Sequence, residues 1–119
     1  MNPSTGRYLS DLLEVLYYWL ITIFSSQEES MATMFVRHSV SDYKTWRKAY
    51  DEFASVQKAK GVTAQAVYQA ADNPNDITVT HEFATVEAAQ AFARSAELKN
   101  AMQNAGVTGA PTIWFTNRA

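Results

Sequence analysis

The stretch ITVTHEFATVEAAQAFARSAELKNAMQNAGVTGAPTIWFT, residues 77–116, decides the fold. Its first seven residues alternate, with Ile77, Val79, His81 and Phe83 on one side and Thr78, Thr80 and Glu82 on the other, which is the period of a strand with one buried face. Thr85 then offers an oxygen to cap a helix, and Leu98, Ala101, Met102 and Ala105 recur at helical spacing. Gly106 ends that run, because glycine adopts the left-handed conformation in which helices commonly stop. PTIWFT, residues 111–116, returns to a strand pattern, its proline suited to a first residue or a sheet edge.

The preceding half has the same plan. MFVRHSV, residues 34–40, alternates as a strand. The run after it, residues 41–61, places Tyr43, Trp46, Tyr50, Phe53 and Gln57 at helical spacing, with Ser41 or Asp42 as N-cap and Gly61 as the stop. TAQAVYQA, residues 63–70, reads as a strand, and ADNPND, residues 71–76, as the turn of a hairpin. The tripeptide Gly-Val-Thr follows both helices, at residues 61–63 and 106–108. Aligned on their helix caps, the halves pair Met34 with Ile77, Val36 with Val79, His38 with His81 and Val40 with Phe83. The order βαββαβ predicts an α+β, ferredoxin-like fold with an antiparallel four-stranded sheet. Gly-Val-Thr is then a structural device that ends a helix and turns the chain back to the sheet.

The repeat also sorts the two central strands into faces. Met34, Val36, His38 and Val40 share one with Ile77, Val79, His81 and Phe83, and this apolar set belongs under the helices. Phe35, Arg37 and Ser39 share the other with Thr78, Thr80 and Glu82, joined by Tyr68 or Trp114 from the outer strands. Two helices cover only one side of such a sheet. The exposed face predicts a homodimer that stacks two sheets, with Arg37 and Glu82 as its interfacial charges.

At 119 residues the chain has room for one core, and its 47% hydrophobic content is that of a globular protein. A formal net charge of −2 with scattered bases provides no footprint for nucleic acid. There is no cysteine, which excludes disulfides and thiolate chemistry and agrees with a cytoplasmic setting. Residues 1–33 read as an N-terminal extension, either an accessory amphipathic helix or an upstream extension of the reading frame, with the compact domain over residues 34–119. The apolar run inside it is interrupted by Asp11 and Glu14. Its clean part spans about ten residues, short of the roughly twenty a spanning helix needs, so no membrane span is expected.

Ser95, Leu98 and Lys99 after a strand that ends in Phe83, followed by a glycine-proline lead into the last strand, resemble the C-terminal half of the antibiotic biosynthesis monooxygenase domains. These belong to the dimeric α+β barrel superfamily. The resemblance implies a cavity between sheet and helices that His38 and His81 line; as candidate catalytic residues they would be its acid–base pair. It implies Val36, Val79, Phe83, Phe92, Lys99 and Met102 as substrate contacts, and neither cofactor nor metal. It also implies departures from the family's chemistry. Where cofactor-independent, quinone-forming members use tryptophan, asparagine, tyrosine and arginine, this chain has Phe83, Val79, Ala89 and Lys99. Where haem-degrading relatives place an axial histidine and a cavity tryptophan it has Met102 and Phe92, so haem degradation is not expected.

Imidazole transfers protons near neutral pH, and as a base in an apolar pocket it could ionise a phenol so that the anion reacts with dioxygen. The same two histidines could equally be core groups satisfied by backbone or neighbouring side chains. Two functions therefore stand side by side on the sequence: oxygenation of a small aromatic or polyketide-like substrate, and a non-catalytic barrel that binds a small apolar ligand or serves regulation.

Overall fold

The computed structural model of the chain describes residues 14–16 and 31–119. The rest of the N-terminal extension expected over residues 1–33 lies outside the described residues. The strands are β1 (Ala32–Val40), β2 (Ala64–Ala70), β3 (Asn73–Phe83) and β4 (Val107–Asn117). The helices are α1 (Tyr43–Glu52), α2 (Ala54–Ala59), α3 (Val86–Ala93) and α4 (Ala96–Asn104). The sheet order is β2-β3-β1-β4 and every pairing is antiparallel. This is the expected α+β, ferredoxin-like arrangement.

Capping explains the helix starts. Asp42 accepts from the backbone N–H of Thr45 at 3.0 Å and from its hydroxyl at 2.9 Å, while Thr85 and Ser95 accept from Ala88 and Leu98. Each supplies an oxygen to an N–H that the first turn leaves without an intrahelical partner. The helix expected as one piece over residues 41–61 is divided at Phe53, whose N–H is shared between the carbonyls of Ala49 and Tyr50. Gly61 and Gly106 have φ of 100° and 81°, the left-handed exits that both halves need.

Val36 and Val79 face each other at the middle of the β1–β3 ladder. Around them the inward face carries two packed clusters. One joins Met34, Val36 and Phe83 to Ala89, Phe92 and Leu98. The other joins Val40, Ile77 and Val79 to Trp46, Tyr50 and Ala105. Fully burying a Val, Ile, Met or Phe side chain contributes about 1.5–3 kcal/mol each, so this face accounts for most of the drive to fold.

Three strands begin earlier than their composition suggests. β1 starts at Ala32 rather than Met34, because Ala32 is buried and pairs with Phe83 and Asn117, so Ala32 and Thr33 belong to the sheet and not to the extension expected over residues 1–33. β3 starts at Asn73 rather than Ile77, because the backbone of the turn-like NPND segment runs on in the ladder and leaves a tight turn at Ala71 and Asp72. β4 starts at Val107, paired with Val40, rather than at Pro111. Arg37 faces Thr112 and Ser39 faces Thr108, so residues 109–111 bulge opposite His38. Gly109, at φ 74°, begins the bulge.

Among the described residues no helix packs on the opposite face of the sheet. Phe35 and Trp114 stack on it with ring centres 5.1 Å apart, and Tyr68 stands exposed on the same side. Arg37 is joined there to Asp76 of the same chain by two hydrogen bonds of 3.1 and 2.7 Å, not to Glu82.

Candidate functional site

Helix α1 lays its aromatic side chains over the inward face of the sheet as a ladder. Tyr43, Trp46 and Tyr50 lie three and four residues apart, so they stack along one helix face, with the Trp46 and Tyr50 rings 4.8 Å apart. The two histidines meet successive rungs from below. His38 packs edge-on to Trp46 at 5.7 Å and His81 lies against Tyr50 at 6.1 Å. Phe92 closes the far side of His81 at 5.5 Å.

Between this ladder, the sheet and α4 lies a chamber with about 40 Å³ of room for the centres of water-sized molecules. Both histidines line it, with Val36 and Val79 as its floor and Leu98 and Met102 as its α4 wall. Its lining side chains with polar atoms are His38, His81, Tyr50, Gln57 and Trp46, and among the described residues no charged side chain lines it. His38 and His81 are only 7% and 3% exposed, yet among the described residues both ring nitrogens of His38 and Nδ1 of His81 have no hydrogen-bond partner. Native interiors rarely leave such groups unsatisfied. The core alternative, in which each histidine is satisfied by backbone or a neighbour, therefore applies only to Nε2 of His81.

That nitrogen lies 3.4 Å from the Tyr50 hydroxyl. The hydroxyl donates its proton to Oε1 of Gln65 at 2.6 Å. Its oxygen is then free only to accept, so Nε2 of His81 carries the hydrogen and Nδ1 holds the lone pair. Gln65 reaches this place because it sits directly across the β2–β3 ladder from His81. Burial lowers both histidines, His81 to about 4, which keeps both rings neutral and proton-accepting at pH 7. Burial likewise pushes the Tyr50 phenol up to about 12, so it stays protonated.

The residues expected as substrate contacts divide in space. Val36, Val79 and Met102 line the chamber. Phe83 and Phe92 are core, packed on each other at 5.5 Å, and Phe92 approaches the site only through the His81 ring. Lys99 lies outside the chamber, on a separate groove between α4 and β4 whose inner wall is Leu98 and Met102 again. The helical spacing that put Tyr50 and Gln57 on one face of the helix did not mark them as site residues, and Gln65 was missed; only the β2–β3 register brings Gln65 to His81. Among the described residues no group of three or more His, Asp or Glu side chains could hold a metal ion.

The family model for antibiotic biosynthesis monooxygenase matches residues 31–104, more than half of the chain. The chain belongs to that family. Solved structures share its fold at low identity. A Bordetella bronchiseptica protein classed with the antibiotic biosynthesis monooxygenases superposes with a TM-score of 0.66 at 14% identity, over 76% of this chain and 98% of that one. SnoaB, a cofactor-independent oxygenase from Streptomyces nogalater, gives 0.60 at 13% identity, over 76% and 95%. A Nitrosomonas europaea protein of unknown function gives 0.62 at 19% identity, over 76% and 91%. No curated protein matches the chain. At these identities the likeness fixes the fold and leaves the chemistry to the residues of the site.

Proposed function

We propose that this antibiotic biosynthesis monooxygenase-family protein oxygenates a small phenolic or polyketide-like aromatic without a cofactor, with His81 as the general base. One observation carries the reading: an almost fully buried imidazole that lines an apolar chamber, is kept neutral by burial, and has an Nδ1 with no hydrogen-bond partner among the described residues. In such surroundings an imidazolium alone is costly, but an imidazolium beside the phenolate it has just created is not, since each charge stabilises the other. Nδ1 takes the phenolic proton, and the electron-rich ring carbon para to the oxygen adds dioxygen. That carbon becomes a hydroperoxide when the imidazolium returns the proton. Loss of water across the C–H and O–OH of that carbon leaves a quinone, so phenol and O₂ give quinone and H₂O in balance. His38, at the equivalent place in the other half, is the second proton carrier. Tyr50 and Gln65 position His81 by fixing its tautomer.

The second reading, a non-catalytic binding protein, is favoured by the size of the chamber. About 40 Å³ holds a few waters but no aromatic ring unless Leu98 and Met102 shift. The family's polar residues are also replaced here by Phe83, Val79 and Ala89. We further infer a homodimer formed through the open sheet face, supported by the exposed Phe35–Trp114 stack beside Tyr68.

Oxygen uptake and quinone absorbance with a panel of hydroxynaphthalenes test the assignment. His81→Phe keeps the bulk of the ring and removes the proton carrier. It is expected to lower turnover at least a hundredfold, the size of a general-base contribution, while the melt at pH 7.5 stays nearly unchanged because Tyr50 keeps its bond to Gln65. Turnover that survives His81→Phe would remove His81 from the chemistry, and a panel left unoxidised by the unaltered protein would favour the binding reading.

A further inference from the structure

The groove between α4 and β4, next to the site, has about 530 Å³, within the roughly 300–1,000 Å³ that small-molecule sites occupy. The histidine chamber, at about 40 Å³, is far below that range. The two share a wall. Leu98 and Met102 line both, and of these Met102 is an unbranched, flexible side chain that changes rotamer easily. The groove's floor is apolar, built by Ile113 and Pro111 of β4 together with that wall.

Its charge is one-sided. Arg94 and Lys99 line it, and among the described residues no Asp or Glu does, in a chain whose net charge is negative. The acid nearest in sequence, Glu97, is drawn to Lys60 at 3.5 Å and is no part of the lining. Neither Arg94 nor Lys99 forms an ion pair among the described residues. An apolar trough with two uncommitted cations at its edge is complementary to a flat apolar body that carries an anionic group.

We propose that this groove holds the body of the ligand and that the ligand is an aromatic acid. Its carboxylate lies at Arg94 and Lys99, its ring lies on Ile113 and Pro111, and its phenolic edge points through the Leu98–Met102 wall at His81. This names the substrate class of the oxygenation site and rests on that reading for the direction of the ligand, though not for its charge. The bulge of residues 109–111 fits the same role, since it bows β4 at the stretch that forms the outer side of the groove.

Calorimetric titration of the full chain with 5-hydroxy-2-naphthoate and with neutral 1-naphthol tests it, since the two share a ring system, each has a C–H para to its hydroxyl, and they differ by one carboxylate. The acid is expected to bind about five- to tenfold more tightly at low salt, the advantage that two exposed cations supply. The advantage should fall below about twofold in Arg94→Gln/Lys99→Gln and in 0.5 M salt, where exposed charges are screened. Both substitutions lie on exposed positions, so the fold is retained and binding of 1-naphthol serves as the control. Equal affinity for the two probes, an acid preference that survives the double substitution, or no binding of either would each overturn the proposal. Tight binding of the acid without its oxidation would count against the oxygenation reading alone and leave the groove assignment standing.

Discussion

At the scale of the residue, the neutrality of His81 has a thermodynamic signature. An unfolded histidine titrates near 6.5, and burial lowers His81 in the folded chain to about 4. Between those values the unfolded chain binds a proton that the folded chain does not, so stability falls as the pH drops through that window and is fully present above 6.5. The difference corresponds to about 3 kcal/mol at most. His38, lowered by the same cause, adds in the same direction. Urea midpoints at pH 7.5 and pH 4.5 are expected to separate clearly in the unaltered protein and by much less in His81→Phe; equal slopes in the two would show that His81 charges in the folded state. Of this site the histidines were legible in the sequence, because their matched positions in two similar halves set them apart from their apolar neighbours. Gln65 was not, since its meeting with His81 is a property of the ladder between two strands and no spacing along the chain encodes it.

At the scale of the element, the helix exits are where backbone conformation is most constrained. Gly61 and Gly106 both hold positive φ, where an alanine costs about 1–2 kcal/mol. A Cβ at Gly61 would meet only Phe83 at 3.9 Å, whereas one at Gly106 would come within 2.7 Å of the Ser41 hydroxyl, which must rotate away. Gly61→Ala and Gly106→Ala should therefore each lower the unfolding free energy by about 1–2 kcal/mol in urea titrations, with Gly106→Ala the larger of the two. Unchanged midpoints would mean that the chain leaves these helices by another route. Periodicity made the order of elements legible, because a two-residue repeat and a 3.6-residue repeat are hard to confuse over such lengths. It misplaced the starts of β3 and β4, where Asn, Pro, Asp and Gly resemble turn composition while the backbone continues the ladder around a bulge. It also joined α1 and α2, since the apolar spacing carries straight across Phe53.

At the scale of the whole molecule, the sheet has, among the described residues, one face covered by helices and one that is not. The alternation of β1 and β3 already separated them, and the register adds both Tyr68 and Trp114 to the open side. A second copy laid on that face would cover the Phe35–Trp114 stack and bury more than the roughly 1,000 Å² expected of a specific interface. Light scattering at micromolar concentration is expected to report a dimer, and Trp114→Glu, which sets a charge in the middle of the face, a monomer with unchanged far-ultraviolet circular dichroism. A monomeric unaltered protein would leave the face without its proposed cover. Among the described residues no helix is long and apolar enough to cross a membrane.

Ala32 pairs with Asn117 at one end of the sheet, and the backbone N–H of Arg118 donates to the carbonyl of Met31 at 3.2 Å. β4 thus finishes where β1 begins. A short loop from residue 117 to residue 32, with a cut in the hairpin turn at Ala71 and Asp72, would give a circular permutant that runs β3-α3-α4-β4-β1-α1-α2-β2. Its pattern is βαββαβ once more, with the halves exchanged and every neighbour in the sheet kept. The architecture is therefore indifferent to which half is synthesised first, and the histidine of either half can be the one that leads the chain.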